Sequence, residues 1–219
     1  MNRGLYMHEN KEYLYTGFRL TKPDIRMIRE NYNKNIKTFK RNQVIIRSSK
    51  KEDLLGVVLK GTAYLVGENE SAHRAIIEYF EEGDLFSNQL LLSLTGSTFY
   101  IVSKYPCEIA FLNYQQLNEC VTKNRLGTAN NLDYLSAPWL QEKMSAHIYI
   151  LQQRTIRDKL MLYFNCLREK YNTNDFVLPL PFTDLADYLA IDRSAMMREI
   201  KKLNYEKVIK TERRNITII

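Results

Sequence analysis

The chain has 219 residues, 45% apolar and 26% charged, a balance that supports a buried core and excludes a disordered polyelectrolyte. Its net charge of +7 and pI near 9.2 favour a polyanionic partner such as nucleic acid. Nothing approaches the roughly 20 apolar residues that cross a bilayer, and Cys107, Cys120 and Cys166 are too few and too far apart for a disulfide framework or a metal cluster, so a cytoplasmic protein with reduced thiols and no metal or membrane partner is expected.

Taken in chain order, Lys22–Asn33 reads as a helix with Pro23 in its first turn. Short β-branched and aromatic runs follow at Gln43–Arg47, Leu54–Leu59, Thr62–Val66, Arg74–Phe80, Tyr100–Ser103 and Cys107–Leu112, each bounded by turn residues. Their regular spacing predicts a small barrel or sandwich, and 1–113 reads as a β-barrel sensor domain with an N-terminal helix. All eight glycines lie at or before Gly127, so the remainder is expected to be helix-rich.

Residues 114–153 read as connecting and dimerisation helices. A short helix is expected at Gln115–Val121. A long one should start from an N-cap at Ser136 with Pro138 in the first turn and run to Gln153. In it Ala137, Leu140, Met144, His147 and Leu151 recur at spacings of three and four, a seam of the coiled-coil type. We therefore expect a homodimer joined through Leu140, Met144, His147 and Leu151. A second face, Trp139, Lys143, Ala146 and Ile150, is left to pack on the barrel.

Residues 154–219 carry the sharpest pattern. An amphipathic helix at Arg157–Leu167 and an extended, proline-bearing Phe176–Pro181 precede two more helices. The first, Thr183–Leu189, turns Leu185, Ala186 and Leu189 inward. Ala190-Ile191-Asp192 forms the turn, and Asp192 caps the second helix. There Met196, Ile200 and Leu203 point inward, and Arg193, Ser194, Met197, Arg198, Lys201 and Lys202 point outward. An α-helix fits the major groove, arginine matches guanine O6 and N7, and lysine offers a point charge to phosphate. A hairpin of Val208–Thr211 and Asn215–Ile219 should follow, with Lys210, Arg213 and Arg214 near backbone phosphates.

These pieces together resemble the CRP–FNR family of bacterial transcription regulators, over roughly Phe39 to Ile219. Val57–Leu65 is similar to the family's strand–Gly–strand, Tyr79–Phe86 to its Pro-Gly-Asp-x-Phe-Gly turn, and Pro179–Leu189 with Arg193–Leu203 to its helix-turn-helix. The resemblance implies an α+β architecture: an N-terminal β-barrel or jelly-roll sensor domain, a long dimerisation helix and a C-terminal winged helix-turn-helix. It implies a dimer bound to double-stranded DNA at a pseudo-palindromic operator, with RNA polymerase as a further partner of an activator. Arg193, Ser194 and Arg198 then fall where the family contacts bases, and Thr183 where it contacts phosphate.

Three departures are specific. The turn ends Phe86-Ser87-Asn88, without the acidic residue that holds the ribose, and Ser97 stands where the family's phosphate-binding arginine belongs, so cAMP is not expected at the usual site. No cysteines group near the N-terminus, and His73 and His147 lack a ligand constellation, so neither an iron–sulfur cluster nor haem is expected. Ala190 and Lys207 replace glycines, and a left-handed backbone there would be strained. The competing reading is a small-molecule receptor whose helix-turn-helix serves protein interaction; the basic outer face argues against it. An enzyme is not expected, because the chain has no Gly-rich phosphate loop, Gly-x-Ser-x-Gly or His-Glu-x-x-His.

Overall fold

The computed structural model describes residues 20–47, 55–70, 74–87, 98–113, 115–117, 119 and 138–219, the last segment with side chains from Lys143 onward. Asn88, Ser97, Cys120, Ser136, Ala137, His73, most of the expected helix at Gln115–Val121, and the side chains of Trp139 and Leu140 lie outside the described residues. The chain divides into two compact units, one of Phe18–Leu140 and one that holds Gln141–Ile219.

In the first unit, helix α1 (Lys22–Asn31) opens on a capping box. The Thr21 hydroxyl accepts from the Asp24 backbone N–H, and the Thr21 backbone N–H donates to the Asp24 carboxylate at 2.7 Å. The helix ends two residues before the expected Asn33, and a single 3-10 turn, Asn33–Asn35, follows. Eight strands come next: β1 (Ile36–Phe39), β2 (Val44–Arg47), β3 (Leu55–Lys60), β4 (Ala63–Glu68), β5 (Arg74–Phe80), β6 (Leu85–Ser87), β7 (Thr98–Ser103) and β8 (Cys107–Leu112). They form two four-stranded antiparallel sheets, ordered β1-β8-β3-β6 and β2-β7-β4-β5. That is the expected jelly roll. β1 and β6 were not anticipated, because each is three or four residues long and is held only by partners distant in sequence.

The core of this unit is apolar on both sheets. Val57, Leu65, Phe80, Phe86, Ile101, Ile109 and Leu112 are essentially buried. Gly56 pairs across the ladder with Phe86, and a Cβ on Gly56 would lie 2.2 Å from the Phe86 ring. Only glycine lets the ring lie flat against this backbone.

The second unit begins within helix α2 (Pro138–Leu151). Helix α3 (Ile156–Tyr171) follows, capped at Thr155 and ended by Asn172 in the left-handed region. It is longer than the apolar pattern at Arg157–Leu167 implied, because Thr155 and Asn172 supply its two end signals. Strand β9 (Asp175–Val177), helix α4 (Phe182–Tyr188), helix α5 (Arg193–Tyr205) and strands β10 (Ile209–Glu212) and β11 (Asn215–Ile218) complete it. The expected hairpin is therefore a three-stranded sheet, β10-β11-β9, with the extended stretch after α3 as its third strand. Helix, helix-turn-helix and small antiparallel sheet together make a winged helix-turn-helix.

Candidate nucleic-acid interface

The two helices of the motif pack as their spacing dictates. Leu185, Ala186 and Leu189 of α4 and Met196, Ile200 and Leu203 of α5 are buried, each no more than 3% exposed. Ile191 is half-buried in the turn, and its N–H bonds the Ala186 carbonyl at 3.0 Å. The Asp192 carboxylate accepts from the Ala195 N–H at 2.7 Å, which fixes the first residue of α5. Ala190 and Lys207 do take the left-handed backbone, with φ of 50° and 56°.

With its inner face fixed, α5 turns a continuous outer face to solvent. Arg193, Ser194, Met197, Arg198, Lys201 and Lys202 are all exposed there. Thr183 is exposed at the start of α4, where its hydroxyl donates to Asp184 at 3.1 Å. In the turn between β10 and β11, Arg213 is exposed with φ of 56° and Arg214 is half-buried. Lys210 pairs with Glu212 at 2.7 Å, and that neighbour raises the Lys210 pKa.

Three ties hold the outer face in place, and none was visible in the sequence. Arg157 of α3 donates to Glu199 and to Glu206, both at 2.7 Å, so one guanidinium spans two turns of α5. These carboxylates raise the Arg157 pKa, and the arginine offsets two negative charges on a helix otherwise dressed for an anion. Asn204 donates to the Ile200 carbonyl at 2.8 Å and to Thr211 Oγ1 at 3.1 Å, and its own carbonyl accepts from the Thr211 N–H at 2.8 Å. That side chain joins α5 to β10, the first strand of the wing. Lys159 of α3 donates to the Leu189 carbonyl at 3.1 Å, which satisfies the C-terminal end of α4.

The fold can now be compared with known proteins. Residues 36–124 match the model of the cyclic nucleotide-binding domain family. The structure of FixK2 from Bradyrhizobium japonicum superposes with a TM-score of 0.61 at 15% identity, covering 84% of this chain and 91% of that one. A CooA mutant from Carboxydothermus hydrogenoformans gives 0.63 at 13% identity, covering 92% and 94%. A CRP-family transcriptional regulator from Thermus thermophilus gives 0.56 at 15% identity, covering 83% and 91%. The chain has the fold of the CRP–FNR regulators. The match extends over both the cyclic nucleotide-binding-type jelly roll and the winged helix-turn-helix. No curated protein sequence gives a significant match. Among the described residues no helix is long and apolar enough to cross a membrane.

His147 is 7% exposed because its ring stacks on Tyr188, with Nε2 2.7 Å from the Tyr188 carbonyl oxygen. It is therefore engaged within its own unit. Met144 and Leu151 are half-buried, while Ile148 and Tyr149 are exposed at 52% and 40%. Ile150 is buried, and Ala146 and Lys143 are half-buried.

The two described cysteines are buried. Burial pushes the Cys166 thiol up to about 12 and that of Cys107 in the same direction. Both are protonated at neutral pH and unsuited to nucleophilic or metal-binding work.

Proposed function

We propose that this chain is a homodimeric, sequence-specific DNA-binding transcription regulator, with the outer face of α5 as its reading surface. The observation that carries the reading is that face: Arg193, Ser194, Met197, Arg198, Lys201 and Lys202 exposed together on a helix rigidly capped and tied at both ends. Arg193 and Arg198 read base edges with Ser194. Lys201, Lys202, Thr183 and the wing arginines Arg213 and Arg214 hold phosphates.

The dimer forms through α2, where the half-buried Met144 and Leu151 fall at i and i+7 with the exposed Ile148 between them at i+4, beside Tyr149. The effector is not cAMP at the usual site, since Ser97 cannot supply the charge that a buried cyclic phosphate needs. Isothermal titration showing competitive cAMP binding at micromolar affinity would overturn that part. The regulator acts in the cytoplasm, and RNA polymerase is its partner where it activates.

Selection from a library of random-sequence duplexes tests the reading. A two-fold symmetric consensus is expected, with half-sites about 10–10.5 base pairs apart centre to centre. Recovery of duplexes without a shared sequence would refute it.

A further inference from the structure

Met197 is an apolar side chain in the middle of a cationic field. Among the described residues, Met197 and Tyr205 are the large apolar side chains exposed on α5, and only Met197 lies in its first two turns. It is 39% exposed, with Arg193 and Lys201 one turn to either side, Ser194 at i−3 and Arg198 next to it. Its place is fixed by the buried Met196 behind it and by the Asp192 cap one turn before it. The first turns of such a helix are the part that reaches base edges.

In the major groove, adenine, guanine and cytosine present donors and acceptors at their edges. Thymine alone adds an apolar group, the C5 methyl. A thioether side chain makes no hydrogen bond worth having with the polar edges, but it gains by covering a methyl and excluding water from it. Its flexibility lets it follow the methyl while the neighbouring arginines fix the register.

We propose that Met197 reads the C5 methyl of one thymine in each half-site, adjacent to the bases read by Arg193 and Arg198. This inference rests on the DNA-reading function proposed above and names what one residue of that surface recognises.

The test replaces each thymine of the selected duplex in turn with deoxyuridine, which differs only by the methyl. Affinity is measured for the full-length protein and for Met197→Ala. One symmetric position should weaken wild-type binding about fourfold per half-site, the worth of one buried methyl. Met197→Ala should be indifferent at that position. It should still lose affinity when guanines contacted by the arginines are replaced with 7-deazaguanine, which shows that the helix remains docked. If no thymine distinguishes the two proteins, or the same thymine stays sensitive in Met197→Ala, the assignment is wrong while the DNA-reading function stands. If the guanine analogues are also without effect on both proteins, the reading surface itself is wrong and the inference falls with it.

Discussion

The His147 ring lies face to face with Tyr188, 3.7 Å between centroids and 7° from parallel, with its Nε2–H donated to the Tyr188 carbonyl. The contact joins α2 to the last residue of α4, so the helix proposed to form the dimer is bolted to the helix that packs beneath α5. Tyr163 of α3 meets the same Tyr188 ring at 6.0 Å, which makes Tyr188 a junction of three helices. Replacing His147 with Ala removes both the stack and the hydrogen bond and should cost about 2 kcal/mol. Replacing it with Phe keeps a ring and should cost less. Urea denaturation of the full-length protein measures both, and equal losses would show that stacking contributes nothing.

A second prediction concerns the jelly roll. Gly56→Ala pushes a methyl into the Phe86 ring and should destabilise the protein by about 1–3 kcal/mol. Adding Phe86→Leu to that variant should cost less than Phe86→Leu costs alone, because the two residues share one space. Additive losses in a thermal denaturation cycle would contradict the packing described.

Much of this was legible from the chain itself, and for a local reason. The helix-turn-helix is written in contiguous residues: inward spacing at Leu185, Ala186 and Leu189, the Asp192 cap, then Met196, Ile200 and Leu203. Ala190 and Lys207 were marked for strain, and both carry positive φ. What escaped depends on residues far apart in sequence. Strand β6 exists because Leu85–Ser87 meets Leu55–Val57, and β1 because Ile36–Phe39 meets Cys107–Ala110. The heptad count on α2 placed His147 on the outer seam, since a histidine suits either face. Its contact with Tyr188, 41 residues later, leaves no trace in that count. Arg157 and Asn204 leave no periodic trace at all.

The strained backbone yields a third prediction. A non-glycine residue in the left-handed region costs about 1 kcal/mol. Lys207→Gly should therefore stabilise the protein by up to that amount, and Ala190→Gly likewise, each raising the melting temperature in scanning calorimetry. Arg213→Gly should gain in the same way but weaken DNA binding, because it also removes a wing-tip charge. A destabilised Lys207→Gly would show that the lysine side chain contributes more than its backbone costs.

A fourth prediction follows from Cys166. Its thiol titrates near 12 in the folded chain, above its usual 9, because burial disfavours the thiolate. Between those values the folded state holds a proton that the unfolded state has released. This cysteine's contribution to stability is therefore intact below pH 9 and is lost as pH rises toward 12. Cys166→Ala should flatten the fall in denaturation midpoint above pH 9. Iodoacetamide at pH 8 should leave Cys166 unlabelled in the folded protein and label it in urea.

Asn204 should matter for both fold and reading. Asn204→Ala removes two hydrogen bonds between α5 and the wing and one within α5, and should cost about 1–2 kcal/mol. Amide exchange should then quicken at Thr211, whose N–H loses its acceptor. Unchanged exchange there would mean that the β-ladder alone fixes the wing.

The central claim is that α5 reads sequence. Fluorescence anisotropy measures it most directly, with the protein titrated onto its selected duplex and onto a scrambled one across a range of salt. The selected duplex should bind at least about 10³-fold more tightly at physiological salt. Arg198→Ala should lose about 1–3 kcal/mol on it and relax one base position. Both duplexes should weaken steeply as salt rises. Equal affinity for the two duplexes at physiological salt, unaffected by Arg198→Ala, would contradict the assignment of this surface.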